Sequence, residues 1–345
     1  MRRASTEVAH RLTGAPAPRP DSGAAPRVVP RRFPRAARVR DDAPVRQLEM
    51  DGMPARLFVC TPTKLATWLD CPRRFRFGYV ERPAPQRGPP WAHNSVGATV
   101  HNALRDWWSL PADRRTPSAA GRLVLSGWLR DGFRDDAQEA SARDRAQEMV
   151  ERYVTQLDPA DEPLGVERTV ATATTRLAVS GRVDRIDERN DELVIVDYKT
   201  GRHVLTTDDA RGSPAMALYA LAAARTLRRS CRRVELHHLP TGRVLGWEHT
   251  DDSLARHLSR AEATGMEAAA AVAALAAGTP VDEAFPPRPS AACGWCDYLR
   301  VCDVGRAAAV PRKPWDGLPD PGEGSPGPPE GDLGWTGDAG GRGAS

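Results

Sequence analysis

The chain has 345 residues, of which 40% are apolar and 27% are charged, so it can bury the core of a globular domain. Its formal charge is +4, and the first fifty residues, with eleven arginines and five acidic residues, account for all of this excess. The rest of the chain is not positively charged overall, so net charge alone is weak evidence for a nucleic-acid partner. No apolar run is long enough for a signal peptide or a membrane span, so we expect a cytoplasmic protein with reduced thiols and no membrane partner.

Both ends of the chain are expected to be disordered. Residues 1–54 are rich in Arg, Pro and Ala without a helical or strand period, and residues 311–345 contain seven Pro and ten Gly. We therefore place one folded domain at residues 55–310.

The first half of this domain is predicted to be helical. In "CTPTKLATWLDC", Thr61 or Thr63 can cap a short helix, and a Pro-rich loop follows near residues 83–90. Apolar residues then recur at helical spacing over residues 94–108, 119–137 and 142–157. These three segments predict a helical insertion.

The period changes to two in the second half. The β-branched, alternating stretch from residue 165 to 201 predicts three strands. A helix in "SPAMALYALAAARTLRR", a hairpin across Thr241-Gly242 and a long helix over residues 252–277 follow. This combination of strands and helices indicates an α/β domain. The chain has no "GxxxxGK[ST]" phosphate loop, so it is not itself a helicase.

One predicted hairpin carries acidic residues where core residues are expected. If Asn190-Asp191 forms its two-residue turn, Asp184 lies opposite Asp197, with their Cβ atoms roughly 4.5 to 5.5 Å apart. Lys199 projects from the same face as Asp197. Facing carboxylates near a core require a proton or a cation between them, and Mg²⁺ or Mn²⁺ prefers such oxygen ligands. The alternative is a surface hairpin decorated with charges.

The segments "GRVDRID" and "VDYKTG" resemble the core of the PD-(D/E)XK nuclease superfamily, specifically its RecB-like exonuclease family. The resemblance implies a restriction-endonuclease-like fold, a mixed sheet flanked by helices. It also implies that Asp184, Asp197 and Lys199 are catalytic. His101 in "VGATVHNAL" and Glu167 in "GVERTV" match further metal ligands of this family.

The same resemblance implies that the Tyr198 carbonyl is another ligand of the Mg²⁺ or Mn²⁺ ion. It also assigns substrate positioning to Tyr219 in "PAMALYALAA", where the family has a Gln four residues earlier and this chain has Ala215. The implied function is a metal-dependent, single-strand-preferring DNA exonuclease in repair or recombination, with a helicase or another repair protein as a further partner.

Two other functions remain open at this point. The missing Gln permits a catalytically impaired, DNA-binding iron–sulfur subunit of a helicase–nuclease complex. The second alternative is a CRISPR-associated processing nuclease that acts with an integrase partner.

Four of the six cysteines form a one-plus-three pattern. It consists of a distant upstream residue and a C-x2-C-x5-C cluster: Cys71, Cys293, Cys296 and Cys302. The pattern resembles the 4Fe-4S staple of AddB-type and CRISPR-associated nucleases, which ties the two ends of the nuclease domain together. Zinc and unrelated thiols are the alternatives.

The segment "CPRRFRFGYV" alternates Arg73, Arg74 and Arg76 with aromatic residues. This composition suits backbone contact and base stacking on single-stranded DNA. In the alternative interpretation, the aromatic side chains belong to the core and the arginines form a solvated face.

Overall fold

A computed structural model describes residues 57–320 and 322 of the protein, all of which belong to one compact unit, Ala55–Ser345. The predicted N-terminal tail lies outside the described residues, as does the predicted C-terminal tail beyond Asp320 apart from Gly322. Residues 311–320 are described and contact the domain: the Ala92 amide donates to the Pro314 carbonyl at 3.0 Å. The described fold thus continues past residue 310.

The core is a mixed, six-stranded sheet in the order β1-β3-β4-β5-β6, with β2 also paired to β3. The strands are β1 (Phe58–Cys60), β2 (Gly165–Ala173), β3 (Leu177–Arg189), β4 (Glu192–Lys199), β5 (Cys231–His238) and β6 (Arg243–Glu248). The β1–β3 and β4–β5 pairs are parallel and the others antiparallel. The predicted mixed sheet is confirmed. Strand β1 is the one strand of these six that was not predicted, because its three residues are too few to show an alternating pattern of apolar residues.

Ten α-helices surround the sheet in the described part of the chain. They are α1 (Pro62–Asp70), α2 (Pro72–Phe75), α3 (Ala92–Trp108), α4 (Pro117–Ser126), α5 (Asp136–Val154), α6 (Thr207–Gly212), α7 (Pro214–Leu227), α8 (Asp251–Ala276), α9 (Val281–Ala284) and α10 (Asp303–Ala308). A π-helical turn, Arg76–Val80, follows α2. None of the described helices combines the length and the apolar content needed to cross a bilayer.

The predicted helix over residues 119–137 is wrong in its second half. Helix α4 ends at Ser126, where Gly127 follows as the C-cap. Helix α5 starts only after Asp135, whose side chain accepts a hydrogen bond from the Gln138 amide at 2.8 Å. Capping by glycine and aspartate overrides the helical spacing of the apolar residues between them.

Strand β4 is buried on both faces, which explains why "LVIV" is apolar throughout. Val194, Val196 and Tyr198 pack against α3, α4 and α5. Leu193 and Ile195 face the opposite way, toward α7. The sheet is therefore the middle layer between the helical insertion and α7.

The β3–β4 hairpin has the predicted register. Asn190 and Asp191 occupy the left-handed region, with φ of 51° and 64°, as a two-residue type I′ turn requires. The pairs run from Arg189 with Glu192 to Arg185 with Val196. This register brings residues 184 and 197 to the same level of the sheet.

The first and last helices of the domain are joined by aromatic and ionic contacts. The Phe285 ring lies 6.1 Å from the Trp68 ring and stacks 6.5 Å from the Phe75 ring. Beside these rings, the Arg73 guanidinium donates to Asp282 at 2.8 Å and to Asp303 at 3.1 Å. The C-terminal segment thus completes the core around α1 and α2.

Candidate active site

The pairing of strands β3 and β4 ends next to Asp184 and Asp197. Their pairing ends at Arg185 and Val196. At the next position the Asp184 carboxylate, rather than a backbone carbonyl, accepts the Tyr198 amide hydrogen at 2.8 Å. The side chain of Asp184 thereby occupies the gap between the strands.

His101 approaches this gap from α3. Its Nε2 atom lies 3.2 Å from the Tyr198 carbonyl oxygen, and its Nδ1 atom lies 3.3 Å from Asp184 Oδ1. Donation from Nε2–H to a backbone carbonyl is the arrangement that orients metal-binding histidines and directs the other nitrogen toward the ion. Nδ1 is therefore the nitrogen that faces the acidic side chains.

Glu167 completes a set of three possible ligands. Its backbone has a φ of 48°, a left-handed conformation that is uncommon for a non-glycine residue within a strand and is enriched at functional sites. Ligand atoms of His101, Glu167 and Asp184 all lie within 4.8 Å of one another. Within the described residues, no other His, Cys, Asp or Glu side chains form such a set. Two carboxylates and an imidazole fit Mn²⁺ or Mg²⁺.

Asp197 and Lys199 form a second part of the site. Lys199 Nζ lies 2.6 Å from Asp197 Oδ2. That oxygen is buried and has no aligned hydrogen-bond donor among the described residues, so the contact is an ion pair rather than a well-oriented hydrogen bond. Asp197 lies outside the set of three, and it alternates with Val196 and Tyr198, which point toward the helical insertion. The equal level in the register therefore does not bring the Asp184 and Asp197 oxygens into one compact ligand set.

The electrostatics of the site indicate an excess of negative charge. Burial raises the pKa of Asp197, and the Asp184 carboxylate raises it further, against the opposing effect of Lys199. The pKa of Glu167 is raised by burial and, in part, by Asp184. Burial alone would lower the pKa of His101, but the hydrogen bond and charge of Asp184 raise it. All three shifts would be relieved by a divalent cation.

Tyr219 on α7 lies beside the same site. A Cβ atom on Gly181 would come within 2.4 Å of the Tyr219 ring, so the absence of a side chain at Gly181 makes room for that ring. Burial raises the pKa of Tyr219, and the charges of Asp197 and Asp184 raise it further. Tyr219 therefore lies close enough to the two carboxylates for their charges to act on its hydroxyl, and its role in substrate positioning stays a prediction.

Two arginines near the site were missed from the sequence. Arg182 Nε lies 2.6 Å from Glu167 Oε2, and its side chain is 69% exposed. Arg105 on α3 contributes to the electrostatic environment of Glu167. Period-two alternation puts Arg182 on the face of Asp184, which is the signal that could have identified it. Arg105 is four residues after His101, one helical turn along α3.

The predicted DNA contact by Arg73 is wrong, because its guanidinium is buried between Asp282 and Asp303. The Arg76 side chain is only 14% exposed and lies 3.2 Å from Glu81. Of the three predicted arginines, Arg74 is the most exposed, at 38%. Phe75 and Phe77 are buried, so the part of the alternative that assigns these aromatic side chains to the core is correct. Its other part, a solvated arginine face, is wrong for Arg73 and Arg76.

The cysteine pattern is brought together by the contacts between the two ends of the domain. The Arg288 amide donates to Cys71 Sγ at 3.5 Å, and Arg73 Nη1 lies 4.0 Å from Cys302 Sγ. Burial raises the pKa of Cys296, and Cys71 is one of its electrostatic neighbours. No three of these sulfur atoms lie within 4.8 Å of one another.

Comparisons with known proteins assign the chain to a family by its sequence. A search of curated proteins finds no match. Among solved structures, a candidate exonuclease from Eubacterium rectale is 9% identical with a TM-score of 0.39, covering 74% of this chain and 90% of its own. The protein SSO0001 is 13% identical with a TM-score of 0.33 and the same coverage. The family assignment comes instead from the sequence model of the PD-(D/E)XK nuclease superfamily, which matches residues 59–303. That match begins within β1 and covers the helical insertion, strands β2 to β6 and the three clustered cysteines. The chain therefore belongs to the PD-(D/E)XK nuclease superfamily.

Proposed function

We propose that the protein is a divalent-metal-dependent exonuclease that prefers single-stranded DNA and acts in DNA repair or recombination in the cytoplasm. The observation that carries the proposal is the convergence of His101, Glu167 and Asp184 within 4.8 Å, next to the Asp197–Lys199 ion pair. The superfamily supplies the reaction class, hydrolysis of phosphodiester bonds.

His101, Glu167 and Asp184 would hold Mg²⁺ or Mn²⁺, with the Tyr198 carbonyl as an additional oxygen donor. Asp197, which the family resemblance adds to the ligands, lies outside this set and would have to move toward the ion to bind it. Such an ion, when bound, polarises the phosphoryl oxygen and lowers the pKa of a water molecule. The Tyr198 carbonyl has a second lone pair beside the one that accepts from His101. The residues at the end of β4 thus orient the histidine as well as contributing oxygens.

Lys199 is the group that acts on the nucleophile and the phosphate. Its ammonium is held at 2.6 Å from Asp197 Oδ2 while the side chain remains 45% exposed. It can donate to an attacking water and to the negative charge that develops on the phosphate. Tyr219, beside the same carboxylates, positions the substrate, in a site that has Ala215 where the family has a Gln.

We expect the wild-type protein to degrade end-labelled single-stranded DNA with Mg²⁺ or Mn²⁺ and not with a chelator. Lys199→Ala should reduce the rate by about 10²- to 10³-fold, the effect of losing one group that stabilises transition-state charge. Gel analysis of linear and circular single strands and of duplex DNA measures the end requirement and the strand preference.

Equal and negligible cleavage by wild type and Lys199→Ala, with DNA binding intact, would overturn the enzyme proposal. That outcome would favour a catalytically impaired DNA-binding subunit of a helicase–nuclease complex, for which the missing Gln at Ala215 is the supporting observation. Recovery of a helicase or of an integrase in a pull-down from the native host would separate a repair complex from CRISPR-associated processing.

We further propose that Cys71 and the three clustered cysteines hold a 4Fe-4S cluster. The contacts of Arg73 with Cys302 and of Arg288 with Cys71 link the segment that carries Cys71 to the C-terminal segment, and they support this proposal. Anaerobically purified protein should be brown and contain about four iron atoms and four sulfides per chain, by metal and sulfide analysis. Cys71→Ser should lose the iron and unfold at a lower temperature, whereas Cys231→Ser, a buried thiol outside the pattern, should retain the iron. Colourless protein with stoichiometric zinc would contradict the proposal.

A further inference from the structure

A cavity of about 400 Å³ lies at the start of α3, outside the metal site. Aromatic and polar side chains from both ends of the domain line it: Arg74, Trp91, His93, Asn94, Trp295, Asp297 and Gly317. Its volume is within the range of small-molecule sites, and none of the steps assigned to the metal site uses it. We call it the Trp91–Trp295 pocket.

Three aromatic rings meet in this pocket. The Trp91 and Trp295 ring centroids are 5.1 Å apart, and the His93 ring stacks on Trp91 at 5.9 Å. Trp295 remains 36% exposed although it lies between two cysteines of the clustered motif. The Trp91 indole nitrogen donates to Asp297 at 2.9 Å, which fixes the Trp91 ring. The pocket therefore offers a fixed ring and a solvent-accessible ring to a flat ligand.

Two arginines adjoin the pocket, which the Asp297 carboxylate also lines. The Arg312 guanidinium is 5.6 Å from the Trp295 ring, and Arg74 lines the cavity with a partly exposed side chain. Aromatic rings interleaved with cations are the combination that binds single strands, since every base has a face that stacks and every nucleotide carries a phosphate.

Helix α3 connects the pocket to the metal site. Asn94 lines the pocket, and His101 lies seven residues later, a rise of roughly 10 Å. Four residues at a spacing of three or four lie on one side of α3: Asn94, Ala98, Asn102 and Arg105. The first two are exposed and the last two are half-buried, so solvent can reach this side of the helix past His101. This distance corresponds to about three nucleotides of a stacked strand at 3.4 Å each.

We infer that the Trp91–Trp295 pocket stacks a base of single-stranded DNA about three nucleotides from the phosphate that is cut. This inference rests on the proposed nuclease function and adds a second anchor for its substrate. Because stacking tolerates every base, such an anchor suits an enzyme without sequence preference. It also makes substrate binding depend on the C-x2-C segment, which carries Trp295.

The test is binding of a fluorescent 12-nucleotide single strand, measured by anisotropy without a divalent cation so that no cleavage occurs. Trp295→Ala should weaken binding by about 5- to 150-fold, the effect of losing one stacked base, and Trp295→Phe should restore most of it. An oligonucleotide with abasic sites should bind the wild type and Trp295→Ala equally. The matched control is Trp247→Ala, because Trp247 is also half-buried beside an arginine, Arg211, but lies on β6 outside the pocket.

Unchanged affinity in Trp295→Ala, or an equal loss in Trp247→Ala, would overturn the stacking site. If Trp295→Ala does not fold, as judged by thermal unfolding, photocrosslinking of a 5-iodouracil single strand to the wild type decides: an adduct on Trp91, His93 or Trp295 supports the pocket, and adducts confined to other residues contradict it. Failure of the nuclease proposal is a different result, namely absent cleavage, and the binding measurements do not depend on it.

Discussion

Asp184→Asn should reduce metal-dependent cleavage of labelled DNA by about a thousandfold or more. An asparagine oxygen can still accept the Tyr198 amide hydrogen, a bond of 2.8 Å in the native protein, so the gap between the strands should keep its shape. The substitution removes one negative charge from the three ligands within 4.8 Å, and the several kcal/mol that a bound ion contributes to the transition state are lost. Cleavage rates at saturating Mn²⁺, and the rise of the melting temperature on adding Mn²⁺, measure the two effects.

Asp191→Asn provides the control for that experiment. It makes the same chemical change in the same hairpin, at an exposed turn residue whose φ of 64° asparagine tolerates. Its cleavage rate and its response to Mn²⁺ should match those of the wild type. A similar loss in both variants would assign the effect to the hairpin rather than to the ion, and full activity of Asp184→Asn would remove Asp184 from the site.

Glu235→Gln should give the largest loss of stability, about 3 kcal/mol in the free energy of unfolding at pH 7. Glu235 is 1% exposed and accepts from His237, Arg189 and Arg233 at 3.1, 2.8 and 2.8 Å. Tyr153 continues this buried network, with its hydroxyl 2.7 Å from His237 Nδ1. The value is at the low end for a broken buried ion pair because both arginines are partly exposed and can be hydrated. Urea unfolding measures it.

The same substitution should show a defined pH dependence. Burial alone would raise the pKa of Glu235, but the hydrogen bond from His237 and the charge of Arg189 lower it far below its ordinary value of 4.5. The stabilisation by the ionised form is therefore complete above pH 4.5 and is lost as the pH falls below that value, because the unfolded chain then binds a proton. The difference in the free energy of unfolding between wild type and Glu235→Gln should therefore become smaller from pH 5 to pH 3.

Glu188→Gln is the matched control for Glu235. Glu188 forms an exposed ion pair with Arg229, and such pairs contribute little to stability. Its unfolding curve should stay close to that of the wild type at every pH. If the difference in the free energy of unfolding between wild type and Glu235→Gln instead increased toward pH 3, Glu235 could not be ionised in the folded protein.

The hairpin register could be predicted because turn geometry and alternation are local. A two-residue turn at Asn190-Asp191 fixes every cross-strand pair, and the observed pair of Arg185 with Val196 follows from it. The order of helices and strands followed from the change of period, and the family motifs pointed to His101 and Glu167, which lie in the cluster with Asp184. These features depend on neighbours in the sequence or on a motif.

The remaining features depend on contacts between distant parts of the chain. The local sequence "CPRRFRFGYV" predicts that Arg73 binds DNA. Its actual partners, Asp282 and Asp303, are 209 and 230 residues later in the sequence. Asp197 lies outside the three-ligand set at the point where the pairing of β3 with β4 ends. There the Asp184 carboxylate, rather than a backbone carbonyl of β3, accepts the Tyr198 amide hydrogen. The left-handed backbone of Glu167 and the buried network around Glu235 likewise have no local signal in the sequence.

During synthesis, Trp68 and Phe75 leave the ribosome long before Phe285, whose ring covers them in the folded domain. The ionic partners beside them, Arg73 and Asp282, are separated by 209 residues, which at 5–20 residues per second is a delay of roughly 10 to 40 s. Over that interval the nascent chain exposes an uncovered aromatic strip, the kind of surface that promotes aggregation. Translation must therefore reach the cysteine-rich end before the amino-terminal helices can finish folding.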